Sequence, residues 1–235
     1  MFFVLLIYGK SVVGQNQTTV MPGQLGYAGL VYTPSANMAP WKTADIGFTH
    51  FSRTISKTYN AGETSERSFL GSIVFLPFLE VSLKLTRPYQ NETDQLRNGK
   101  RYRGIGDRSI SLRVQVLKET ARRPALAIGI QDPFPTNSDF FNTQYAVISK
   151  SFRRNGLTLA SNLGFGYTSD DEAFLKGIFG GFNLSWKYLN LMAEYDTQYF
   201  NAGIGLHFKE IVFLQIAMID GRGYSGNLNV RFQLK

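Results

Sequence analysis

From Thr43 onward the chain divides into about twelve short segments that alternate apolar and polar residues, the period of a β-strand whose faces meet different surroundings. In "LEVSLKLTR" the residues Leu79, Val81, Leu83 and Leu85 share one face, and Glu80, Ser82, Lys84 and Thr86 share the other. The segment "RPALAIGIQD" sets Leu126, Ile128 and Ile130 against Ala125, Ala127 and Gly129. "NLNVRFQLK" sets Leu228, Val230, Phe232 and Leu234 against Asn227, Asn229, Arg231 and Gln233. Most of these segments approach the roughly 9 to 11 residues with which a tilted strand crosses a bilayer. After the first residues, no stretch nears the ~18 apolar residues of a membrane helix, so a spanning chain of this kind must close into a barrel.

The connections carry a second signal, because long and tight ones alternate. The stretches 54–66, 88–107 and 132–142 are long, whereas Pro77–Phe78, Lys187–Tyr188 and Lys209–Glu210 are tight. Turns at one end and loops at the other are the asymmetry of outer-membrane barrels. Aromatic residues at strand ends, among them Tyr145, Tyr167, Trp186, Tyr195, Tyr199 and Tyr224, suit interfacial girdles. A soluble sandwich or lipocalin-like barrel also alternates, but would point its large apolar residues inward. We expect an all-β, antiparallel, up-and-down transmembrane barrel of about twelve strands over 43–235, integral to a bacterial outer membrane. An even strand count places both termini in the periplasm.

Upstream of the barrel, residues 1–14 hold a short apolar run and small residues, the outline of a signal peptide. Residues 15–42, with Pro34 and Pro40 and no sustained alternation, form either a periplasmic extension or a plug inside the lumen. The absence of cysteine excludes disulfides, thiolate metal sites and a cysteine nucleophile. The formal net charge of +8 is spread among acidic residues without a continuous stripe, which does not suggest a nucleic-acid partner.

Five stretches resemble one known family: "GLVYTPSANM", "PFLEVSLKLT", "DRSISLRVQVLKE", "RPALAIGIQD" and "YAVISKSF", in this order. The series is similar to the YjbH family of outer-membrane proteins associated with exopolysaccharide and capsule export. It covers roughly Gly29 to Phe165, with weaker similarity through "GGFNLSW" and "MAEYD". The resemblance implies a non-enzymatic outer-membrane barrel linked to extracellular polysaccharide, as conduit or scaffold, with no catalytic residues to carry over. Larger relatives carry more chain, so this one is expected to be a single-barrel member. The alternatives are an accessory subunit of another outer-membrane complex, or a small-solute porin.

If the apolar faces meet lipid, Asp45, Glu80, Lys84, Arg113, Glu194, Asp196, His207 and Arg231 face the lumen. They either line an aqueous pore or pair across a filled interior, and a barrel of this size permits both. Arg97, Lys100, Arg101 and Arg103 in the long loop after Pro88 are candidates for an external anion or glycan site. The expected partners are outer-membrane lipid and lipopolysaccharide, together with polysaccharide and other envelope export proteins. Catalysis is not expected: His50 and Ser52 share the apolar parity near an interface, but no Gly-x-Ser-x-Gly motif or third residue accompanies them. No metal cluster or cofactor motif is legible.

Overall fold

The computed structural model describes residues 19–55, 65–88, 96–97, 100–101, 107–134, 141–169 and 173–235, without the side chains of 88, 96–97, 100–101 and 107. The expected signal peptide over 1–14 and the beginning of the 15–42 segment lie outside the described residues.

Strands β1 (Thr43–Phe51), β2 (Glu66–Leu76) and β3 (Leu79–Pro88) are followed by a small hairpin, β4 (Leu96–Arg97) and β5 (Lys100–Arg101). Then come β6 (Asp107–Leu117), β7 (Ala125–Gln131), β8 (Thr143–Arg154), β9 (Leu157–Tyr167) and β10 (Gly177–Trp186). The wall is completed by β11 (Leu189–Tyr195), β12 (Phe200–Phe208), β13 (Val212–Ile219) and β14 (Gly223–Gln233). Apart from β4 and β5, each strand pairs antiparallel with its sequence neighbour, and β1 pairs with β14, so the sheet closes into a barrel of 12 strands. The seam is in register from Thr43↔Gln233 to Phe51↔Ser225, which brings the first and last strands together at the same mouth.

The direction of the alternation separates a membrane barrel from a soluble one. Ile46 is 62% exposed and Ile216 68%, and Phe69, Leu163, Phe165, Ile178 and Ile204 are exposed with them. The opposite parity, including Thr43, Asp45, Thr49, Ser68, Glu80, Asn190 and Asn229, is buried. A wall that is apolar outside and polar inside suits lipid and disfavours water on its outer face. Backbone groups in hydrocarbon need internal partners, and closure supplies them by removing every strand edge.

The strand ends joined by 77–78, 118–124, 155–156, 187–188 and 209–211 meet at one mouth, the turn end, and the strand ends joined by 52–65, 89–106, 132–142, 168–176, 196–199 and 220–222 meet at the other, the loop end. Asn155 and Gly156, at φ 50° and 79°, form a two-residue hairpin turn of the left-handed kind that matches strand twist. Strand β8 runs on through Arg153 and Arg154, which pair with Thr158 and Leu157, so this turn is tighter than the sequence suggests. The β4–β5 pairing inside the long loop is also absent from the period-two pattern, being too short to register.

Two of the expected girdle aromatics point elsewhere. Tyr145 is 5% exposed and packs against Phe179 inside the barrel, with ring centroids 6.3 Å apart, and Tyr199 packs on the inner cluster of Val31, Ala217 and Ile219. Position at a strand end does not reveal parity, and both residues fall on the inward one. Tyr167, Trp186, Tyr195 and Tyr224 do face outward.

Residues 19–42 fold inside the wall, apart from Trp41 and Lys42, which are exposed at its mouth. The segment carries short bridges of its own, Pro22↔Ala28 and Gly29↔Pro34, and hydrogen bonds such as Gln24 N–H to the Val31 carbonyl at 2.9 Å. Both of its ends lie at the turn end: Thr19 Oγ1 donates to Glu210 at 2.7 Å, and the Lys42 carbonyl accepts from Leu234 N–H at 2.7 Å. Between them the chain climbs into the lumen and returns.

Candidate functional site

The lumen is polar because alternate residues of every strand point into it, and the segment 19–42 meets those residues with its backbone. Glu194 on β11 is the clearest example. Its Oε2 accepts the N–H groups of Val31 at 3.0 Å and Thr33 at 3.1 Å and the Thr33 hydroxyl at 2.8 Å. Its Oε1 accepts Tyr32 N–H at 2.8 Å and Asn201 Nδ2 at 3.1 Å. Three consecutive backbone donors thus converge on one carboxylate, which replaces the water that a buried charge would otherwise need.

Across the lumen Glu80 on β3 and Arg113 on β6, directly opposed in register, form a buried ion pair. Glu80 also accepts Ala28 N–H at 3.1 Å. Arg113 donates to the Ala28 carbonyl at 2.7 Å and to the Ser35 carbonyl. One acid and one base therefore hold the N–H and the C=O of the same plug residue. Ser149 Oγ takes Ala36 N–H at 2.7 Å, Gln115 donates to the Ala36 carbonyl at 2.7 Å, and Gln215 donates to the Leu30 carbonyl at 3.1 Å. Asn227 reaches the Pro22 and Gly23 carbonyls, each at 3.3 Å.

The remaining acids and bases expected in the lumen sit at different heights. Asp45 and Arg231 are register partners on the seam, joined by hydrogen bonds of 2.7 and 2.9 Å; Arg231 also donates to the Val20 carbonyl at 3.3 Å and its guanidinium lies 4.5 Å from the Phe213 ring centre. Lys84 pairs with Glu66 at 3.3 Å, with its ammonium 4.4 Å from the Phe141 ring centre. Asp196 is buried at the loop end, where it caps the β11–β12 turn through Gln198 and Tyr199 N–H and accepts Asn201 Nδ2 at 2.8 Å. His207 is half-buried near the turn end, its Nδ1 3.0 Å from Asn190 Nδ2 and its ring stacked on Phe213. All eight lie on the inward parity, yet they do not converge: Asp196 and His207 belong to opposite mouths.

The small residues of the wall make room for the plug. Ala125 and Ala127 are fully buried in a cluster with Leu25, Tyr27, Ala36 and Tyr145. A side chain at Gly181 would come within 2.7 Å of Leu30 Cδ1, and one at Gly205 within 2.8 Å of Met21 Cε. Tyr27 donates its hydroxyl to the Tyr32 carbonyl at 2.7 Å; burial, with Tyr145 and Glu194 nearby, pushes its phenol well above the usual range, so it stays a donor. Above the plug, towards the loops, lies a cavity with about 640 Å³ of empty space, including open solvent, lined by Tyr32, Phe51, Phe174, Glu66, Lys84 and Asp196.

Glu66, Ser149, Asn201, Gln215 and Asn227 join this site although the sequence reading did not single them out. Their inward parity is a sufficient signal for exposure to the lumen, but not for contact with the plug. Arg97, Lys100, Arg101 and Arg103 fall outside the residues whose side chains are described. His50 faces outward beside Tyr224, whereas Ser52 is buried, accepts Tyr224 N–H at 3.0 Å and lies 3.2 Å from Thr54 Oγ1. The parity shared by His50 and Ser52 in the sequence therefore does not bring them together, because β1 ends at Phe51.

A family model described as "Exopolysaccharide biosynthesis protein YbjH" matches residues 22–205. The chain belongs to the YjbH family. The matched range takes in the lumen segment from Pro22 together with the wall as far as Gly205, so plug and barrel fall within one family pattern. No curated protein matches this YjbH-family chain. Among solved structures it is similar to a KdgM porin, at 9% identity and a TM-score of 0.48, covering 82% of this chain and 99% of the other. A KdgM porin in complex with disordered oligogalacturonate gives 9% identity, a TM-score of 0.48 and coverages of 81% and 99%. A mutant of Rh. blastica porin gives 8% identity, a TM-score of 0.25 and coverages of 81% and 97%.

Proposed function

We propose that this YjbH-family barrel is a non-enzymatic, integral outer-membrane component of exopolysaccharide or capsule export or assembly. In its resting state residues 19–42 plug it, so it serves as a scaffold, or as a conduit only when the plug withdraws. The turn end, with both ends of the wall, faces the periplasm, so the plug is reachable by periplasmic export proteins and the loops face outside. The observation that carries this reading is the match between plug and wall, in which Glu80, Arg113 and Glu194 satisfy the plug's own backbone. A family described by exopolysaccharide biosynthesis supplies the substrate class.

The basic loop residues Arg97, Lys100, Arg101 and Arg103 are proposed as an external site for acidic glycan. A small-solute porin is the second reading, and a filled lumen weighs against it. Surface polysaccharide is measured in a strain lacking the gene and in one producing the chain without residues 19–40. Loss of polymer in the first strain supports the export role; normal polymer in the first sinks it. Single-channel recordings of the reconstituted protein separate the readings further: quiet traces fit a plugged barrel, and large steady currents fit a porin.

A further inference from the structure

The outward face is apolar almost throughout, which makes one patch on it stand apart. Arg67 on β2, Arg87 on β3 and Arg108 on β6 are all exposed on the outward parity at the loop end of neighbouring strands. Arg67 and Arg87 are direct register partners, and His50 on β1 is the partner of Arg67 on its other side. Arg108 is opposite Leu85, one diagonal step from Arg87. Side chains directly opposed across a sheet start about 5 Å apart and diagonal ones about 7–8 Å apart, so like charges at these positions repel. Among the described residues neither Arg87 nor Arg108 forms a salt bridge.

Immediately below this row, toward the middle of the wall, the next outward residues are Phe48, Phe69, Leu85 and Ile110. Phe48 and Phe69 pack edge to face, with ring centroids 5.6 Å apart. The patch is therefore amphipathic along the barrel axis, with guanidinium groups at the interface and an apolar shelf beneath them. A lipid with hydrocarbon chains and phosphate at the headgroup has the same order. Arginine binds phosphate bidentately, and a phosphate among these groups replaces their mutual repulsion by attraction.

We propose that Arg67, Arg87 and Arg108 form a binding site for a phosphorylated glycolipid, the lipopolysaccharide of the outer leaflet, with its acyl chains on the Phe48, Phe69, Leu85 and Ile110 shelf. This assignment rests on the outward-facing loop end of the preceding reading, but its binding test in detergent does not depend on the export role.

The test uses the full chain purified in detergent, with binding read by native mass spectrometry and fluorescence competition. The probes are bisphosphorylated lipid A, its dephosphorylated form, phosphatidylglycerol and phosphatidylcholine. The wild type should prefer phosphorylated over dephosphorylated lipid A by roughly 30-fold, a factor set by Arg87 and Arg108 alone at about 1 kcal/mol for each cation near a headgroup. The variant R67Q/R87Q/R108Q should lose that preference while keeping heat-modifiable gel mobility. Equal binding of the dephosphorylated lipid overturns the proposal, as does a triple variant that binds like the wild type. Phosphatidylglycerol binding as tightly as lipid A means a general anionic surface and overturns the glycolipid assignment. Loss of preference on neutralising Arg97, Lys100, Arg101 and Arg103, with the triple variant unaffected, moves the site to the loop and also overturns it. If the triple variant fails to fold, the wild-type lipid series and R87Q/R108Q decide between the same outcomes.

Discussion

Replacing Glu194 by glutamine is the smallest change that tests whether the plug is held by the wall or merely enclosed by it. The two oxygens of Glu194 accept five hydrogen bonds, four of them from Val31, Tyr32 and Thr33. Glutamine keeps the shape but has one oxygen and one NH2 group. Whichever way it turns, at least two donors then face a donor. With the NH2 at the Oε1 site the donors lost are Tyr32 N–H of the plug and Asn201 of the wall; hydrogen bonds to a charged group contribute about 1.5–3 kcal/mol each, so losing this one plug bond weakens the anchor by at least about 1.5–3 kcal/mol. At 1.4 kcal/mol per factor of ten, the released state of this stretch becomes more populated by at least roughly 10–10²-fold. Hydrogen exchange of the Val31, Tyr32 and Thr33 amides in detergent or nanodiscs reads that change directly, since these amides exchange only when they let go. The expected result is faster exchange by that factor at these residues, with amides of the β8–β9 ladder unchanged, and more frequent brief conductance events in bilayers. Exchange at wild-type rates in Glu194→Gln refutes the claim that this carboxylate holds the plug.

Three further outcomes follow from the same geometry. Arg113→Met leaves the Glu80 carboxylate buried without its ion-pair partner and should cost about 3–5 kcal/mol in denaturant unfolding from lipid vesicles; adding Glu80→Gln should recover much of the loss. Ile128→Arg on the exposed face of β7 places a charge toward lipid and should cost about 2–4 kcal/mol in the same assay if Ile128 lies near the bilayer midplane. A soluble barrel would instead tolerate it. Ala127→Trp pushes a large ring into the fully buried cluster around Tyr27, so a barrel that still shows heat-modifiable mobility should lose amide protection over residues 25–36; unchanged protection there counts against close packing of plug on wall.

The wall was nearly all legible from periodicity. In a segment such as "ALAIGIQ" the side chains contact two different media, and the requirements of each medium are written into alternate positions. Even the inward direction of Asp45, Glu80 and Arg231 follows once lipid is assigned to the apolar face. The segment 19–42 was legible only as an alternative, because it has no repeating contact with a single medium. Its partners are scattered over β1, β3, β6, β8, β11, β13 and β14, and the groups they bind are backbone N–H and C=O, which every sequence has. The small inward residues Ala125 and Ala127 leave room for something bulky, without saying what. Tyr145 and Tyr199 went astray for a related reason: an aromatic ring is equally at home at a membrane interface and in a packed interior.

The seam between β1 and β14 has a consequence for the order in which the molecule is assembled. Arg231 bonds Asp45 across the pair made by the first and last strands and also reaches the Val20 carbonyl. Joining the wall and capturing the segment therefore share a residue. That segment precedes β1 and enters and leaves by one mouth, so no end has to be threaded through a finished ring. A barrel that closes in chain order therefore fixes the segment and the seam in one step, through Arg231.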